Sequence, residues 1–224
     1  MSILYVIAAT QFEPNKKQKL LMNLLNIFFK NNIRILINKD FNKKFKNKYI
    51  YSPTDMEDFL FDFSRYASSL KYITNSNSVI LGFNDTLGNG RKLNLFLYIF
   101  IFLSIFLILF DFYNFACPID SDKYKEWISP YFFIGRFNIV KKLNWLDSET
   151  AKKELNENEL NQLDYWIKNK WRQSKKSSKK QREIKLKTLF LERNLINSIP
   201  NNKLTIFKYN KKSFWRIMNS IIPI

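Results

Sequence analysis

The chain has 224 residues, a mass of 27.0 kDa and a formal net charge of +18. Apolar residues make up 46% and charged residues 25%, the balance of a globular chain with a core rather than of a disordered one. There is no histidine, so Ser-His-Asp and Cys-His catalysis and every histidine metal site are excluded, and the lone Cys117 excludes an internal disulfide or a thiolate zinc cluster.

Ile3 to Ala9 is a short apolar run with β-branched members and reads as a buried strand. Lys16 to Lys30 places Leu20, Leu21, Leu24, Leu25, Ile27 and Phe28 at helical spacing, which predicts an amphipathic helix. Ile33 to Ile37 reads as a second strand, and the lysine-rich stretch from Asp40 to Lys48 as a loop. Tyr49 to Tyr51 reads as a short strand, followed by a helix to about Tyr72 with Thr54 or Asp55 as its cap. Ser78 to Phe83 is a third strand, stopped by the turn sequence Asn84 to Gly90. Strands alternating with helices predict an open, mainly parallel α/β sheet flanked by helices. Ligands of such sheets bind beyond the carboxyl ends of the strands, where Asn84 and Asp85 fall.

Leu93 to Phe110 contains only Asn94 and Ser104 as polar residues. As a helix it spans roughly 27 Å, the lower edge of a bilayer core. Three readings stand at this level: a membrane span, a helix dipping into one leaflet, or a helix buried in the protein. Beyond it, Tyr131 to Ile134 reads as an aromatic strand and Asn138 to Leu143 as a helix. Ser148 to Lys170 reads as a helix or helix pair with Ser148 as its cap. The pattern divides the chain into a core over 1–145, including the apolar helix 93–110, and a helical, basic part over 146–224.

Arg172 to Lys187 is a run of lysines, arginines and serines. It suits an anionic membrane surface or phosphates, or else a solvated loop. No aromatic residue lies inside it to stack on bases, which disfavours nucleic acid as a partner. Asp85, Asp120, Asp122 and Glu126 matter because, without histidine, carboxylates are the natural general bases and the natural ligands of hard divalent cations.

Three segments occur in order: FLFDFSRYASSL, VILGFNDTLG and SPYFFIGRFNIVKKL. Together they resemble a family of bacterial polysaccharide-biosynthesis proteins, the glycosyltransferase-like proteins related to rhamnan-synthesis enzymes. The resemblance covers roughly residues 3 to 145 and implies a GT-A-like fold that binds a nucleotide sugar. It implies transfer of a sugar to a glycan or lipid-linked acceptor in surface polysaccharide synthesis, at the cytoplasmic face of the plasma membrane. Asn84, Asp85, Thr86 and Arg136 would then bind substrate, and Asp85 would hold Mg²⁺ or Mn²⁺. Either Asp120 or Asp122 would serve as the base. Asn84-Asp85-Thr86 departs from the Asp-x-Asp pattern, which leaves a single carboxylate for the metal. Within this resemblance the apolar helix docks the protein on the membrane, because a full crossing would split one sheet across the bilayer. The rival class is a non-enzymatic, membrane-anchored interaction protein whose apolar helix is a true span.

Overall fold

The computed structural model describes residues 2–10, 13–37, 50–51, 60–88, 93–121, 126–171, 177–195, 197 and 205–209. Its strands are β1 (Leu4–Ala9), β2 (Ile33–Leu36), β3 (Ile50–Tyr51), β4 (Val79–Asn84), β5 (Phe115–Ser121), β6 (Glu126–Ile128), β7 (Phe132–Arg136) and β8 (Ile206–Tyr209). Its α-helices are α1 (Lys16–Phe29), α2 (Asp62–Leu70), α3 (Leu95–Leu109), α4 (Phe137–Val140), α5 (Ser148–Lys153), α6 (Glu157–Asn169) and α7 (Lys179–Asn194).

The strands form one eight-stranded sheet in the order β3-β2-β1-β4-β7-β5-β6, with β8 beside β5. The first four strands in that order are mutually parallel. β4 is buried at every position, as a strand covered on both faces must be. The mixed character enters at β7, which runs antiparallel to β4 with Phe83 opposite Phe132 and Val79 opposite Arg136. β5 is antiparallel to β7 in turn, so it points the same way as β4. The carboxyl ends of β4 and β5 and the amino end of β7 therefore share one edge of the sheet.

Two apolar clusters pack on the two faces. One joins Phe63, Tyr66, Phe133 and Trp145 with the C-terminal helices, through Leu163, Phe190 and Leu191. The other joins Leu21, Met22 and Leu25 of α1 with Leu97, Phe100, Ile101 and Ile105 of α3. Gly82 makes the first cluster possible, because a Cβ there would lie 2.4 Å from the Phe133 ring.

Several local readings change. The cap at Thr54 or Asp55 falls outside the described residues, and the described helix starts at Asp62. Ser148 is not the cap of α5; the Asp147 carboxylate accepts from the Thr150 amide and takes that role. The run 172–187 is not a loop throughout, because Ser178 and Gln181 form a capping box that starts α7 at Lys179. The apolar segment forms α3 over Leu95–Leu109, and among the described residues no helix is long and apolar enough to cross a membrane.

Candidate active-site cleft

The Asn84-Asp85-Thr86 turn leaves the carboxyl end of β4 under restraint from three directions. The Asn84 side-chain oxygen accepts from the Thr86 amide at 2.9 Å, closing an Asx turn. Its side-chain amide donates to the Asp62 carboxylate at the start of α2. Its backbone carbonyl accepts from the Gln18 side chain of α1 at 3.0 Å, and the same amide nitrogen reaches the Leu87 carbonyl at 2.8 Å. Asn84 is thus chiefly a positioning residue, and Asp85 and Thr86 are presented to a cleft of about 920 Å³.

The lower wall comes from α2 and the β6–β7 connection. Arg65 lines the cleft while only 5% exposed. Beside it, the Tyr66 hydroxyl donates to the Pro130 carbonyl at 3.1 Å, tying the 129–131 loop to α2. Burial pushes the Tyr66 phenol well up, and the charges of Asp62 and Asp85 push it further, so both aspartates act on one locus. Phe61, which also lines the cleft, holds φ at 51°, a strained value for a non-glycine residue.

The opposite wall is built by α6 and α7. Asp120, at the end of β5, pairs across the ladder with Trp127 of β6. The guanidinium of Arg193 lies 3.5 Å above the Trp127 ring. The indole of Trp127 hydrogen-bonds the Glu192 carboxylate. Burial pushes Glu192 up to about 7, with Asp62 and Asp120 adding to the rise and Lys185 and the indole opposing it. Trp166, Trp171 and Tyr165 complete the aromatic side of the cleft.

The structure therefore brings Asn84, Asp85, Thr86 and Asp120 to one cleft. It does not bring Arg136. Because β7 runs antiparallel to β4, Arg136 sits at the opposite edge of the sheet, where it donates to the Ile108 carbonyl at 2.7 Å and pairs with Asp111. Asp122 lies outside the described residues. Sequence reasoning missed Asp62, Arg65, Trp127, Glu192 and Arg193. Asp62 and Arg65 stand within the segment FLFDFSRYASSL, which was the available signal for both; no motif marks Trp127, Glu192 or Arg193.

Among the described residues no group of three or more Asp, Glu or Cys side chains is arranged to hold a metal ion. With the described residues alone, an ion beside Asp85 would take most of its ligands from substrate and water. What the cleft does supply is a carboxyl group that burial pushes up to about 7, cations on both walls and several stacking surfaces.

No protein-family model and no curated protein matches this chain. Among solved structures, the chain is similar to the 4-diphosphocytidyl-2C-methyl-D-erythritol synthase of Anaerococcus prevotii. The identity is 9% and the TM-score 0.40, over 98% of this chain and 96% of that one.

Proposed function

We propose that this cleft binds a nucleoside-diphosphate sugar and transfers the sugar to a hydroxyl of a glycan or lipid-linked acceptor. The observation that carries the reading is Glu192. It is pushed up to about 7 within reach of the charges of Asp62, Asp120 and Lys185, at the ligand-binding edge of an α/β sheet. A group so poised accepts a proton at neutral pH without being fully protonated there.

In this reading Glu192 takes the proton of the acceptor hydroxyl as its oxygen bonds to the anomeric carbon of the sugar. The bond from that carbon to the diphosphate oxygen breaks, and its electron pair leaves with the diphosphate. Arg65 and Lys185 offset the charge that grows on the leaving group. Asp120 orients the acceptor hydroxyl, and Asp85 faces the donor sugar or an ion brought in with the diphosphate. Trp166 and Trp171 offer stacking surfaces for a base or a sugar ring.

The test is thermal stabilisation of the full chain by nucleoside diphosphates and their sugars, with and without Mn²⁺. One nucleotide should raise the midpoint in a saturable way, since a ligand at a hundredfold excess over Kd stabilises by about 2.7 kcal/mol. With the sugar donor so identified, Glu192→Gln should retain this stabilisation and lose turnover by a hundredfold or more, about the contribution of a general base. No nucleotide response, or full turnover by Glu192→Gln, would remove the reading.

A further inference from the structure

On the face of the sheet opposite the cleft, α1 and α3 lie side by side. The Tyr98 hydroxyl of α3 donates to the Lys17 carbonyl of α1 at 3.0 Å. Phe28 meets Phe102 edge-on at 5.1 Å between ring centroids, and Phe29 meets Phe106 at 6.2 Å. Each helix spends one apolar side on the core, yet each carries a second apolar side facing outward. On α1 it consists of Leu20, Leu24, Ile27 and Phe28, spaced as one helical stripe. On α3 it consists of Leu95, Ile99, Phe102 and Phe106, and Phe110 just past the helix end continues it. Ile27, Phe28, Leu95 and Phe110 are each 63 to 70% exposed. A helix that faces only water carries polar residues there. A contiguous apolar patch of this kind marks an interaction surface.

The charges around the patch select its occupant. Lys16, Lys17 and Lys19 stand in the opening turns of α1 and Lys30 at its end, and neither α1 nor α3 contains an aspartate or glutamate. Lysines at a helix N-terminus oppose the helix dipole, so they are placed there at a cost to the isolated fold. Glu13 and Asp111, which flank α1 and α3 along the chain, are paired with Lys19 and Arg136. An apolar face rimmed by cations, on a chain of net charge +18, complements a surface that is itself apolar below and anionic above.

We propose that the α1–α3 face docks the protein on an anionic lipid bilayer, with the phenylalanines at the acyl boundary and the lysines among the headgroups. A helix lying in the interface does not need the length of a span, which α3 lacks. The inference is independent of the reaction assigned to the cleft.

The experiment is sedimentation of the full chain with vesicles of phosphatidylglycerol mixed with phosphatidylcholine, against vesicles of phosphatidylcholine alone. The chain should bind the mixed vesicles, and binding should weaken with added salt. Phe28→Ser combined with Phe106→Ser should weaken it at least about tenfold, because two aromatic insertions are lost. Lys16→Glu combined with Lys17→Glu should weaken it to a similar degree while leaving every apolar side chain in place. Both pairs are exposed, and an unchanged thermal midpoint shows that each variant is folded. Equal binding to the two vesicle types, or undiminished binding by both folded variants, would overturn the inference. So would a wild-type dimer that Phe28→Ser dissociates and that ignores vesicles, which would assign the face to a second copy of the chain.

Discussion

Glu192 shows how a residue without a motif acquires a chemical role. Its folded-state affinity for a proton is raised from the usual 4.5 to about 7, first by burial and then by Asp62 and Asp120. The folded chain thus holds this proton through the window from about 4.5 to about 7, where the unfolded chain has released it. Stability contributed by this site therefore falls as pH rises through that window and is constant above it. Glu192→Gln should flatten that part of the profile, as chemical denaturation at a series of pH values would reveal. Turnover should run the other way, rising through pH 7 as Glu192 loses its proton. At Gly82 the constraint is steric. An added Cβ would meet the Phe133 ring at 2.4 Å and the Tyr66 ring at 3.0 Å. Both rings are fully buried, so neither can swing aside into solvent. Gly82→Ala should cost about 2 kcal/mol, the range for overpacking a core, and should lower the urea midpoint with the m-value unchanged.

At the scale of elements, the decisive devices are caps and strand direction. α1, α6 and α7 all open with capping boxes, at Asn15–Gln18, Asn156–Glu159 and Ser178–Gln181. The last one turns a stretch of lysines into the start of the helix that carries Glu192 and Arg193 to the cleft. The lysines at the start of α7 are exposed and repel one another, so the cap matters more there than propensity does. Ser178→Ala should lower global stability by about 1 kcal/mol. Its hydrogen-exchange signature should be largest in the first turn of α7, beyond the uniform rise that the loss of global stability brings. A rise of the same size everywhere, with no excess in that turn, would show that the cap does not hold the start of α7 locally.

At the scale of the whole molecule, β8 brings a late segment of the chain back to the sheet. β8 lies parallel to β5 from Phe115 opposite Ile206 to Pro118 opposite Tyr209. The Phe207 ring stacks on Phe100 of α3 at 4.9 Å, so the same strand also secures the helix of the proposed membrane face. A chain ending before Thr205 should lose at least about 3 kcal/mol, the cost of removing one large aromatic contact, and should expose the β5 edge to association. Cys117 reports this directly. It is buried on β5, and burial pushes its thiol well above the usual range, so it should resist a thiol reagent in the full chain. In the shortened chain it should react at a rate at least tenfold higher. An unreactive Cys117 after truncation would mean that β8 does not shield the strand.

The alternation of strands and helices is legible along the chain, because hydrophobic period is a local property. β1, α1, β2 and β4 fall within a residue or two of their expected ranges. So is the turn at Asn84, where short polar residues and Gly88, with φ at 83°, leave a strand no way to continue. The absence of histidine directed attention to carboxylates, and Asp85 and Asp120 do line the cleft. Which residues meet there depends on long-range packing. Whether Arg136 faces the cleft depends on the direction of β7 relative to β4, and strand direction is set by pairing across the sheet rather than by the residues of one strand. Glu192 occupies an ordinary, lysine-rich helical sequence. Its role follows from desolvation and from the charges of Asp62 and Asp120, which come from distant segments and act on it only once the chain has packed.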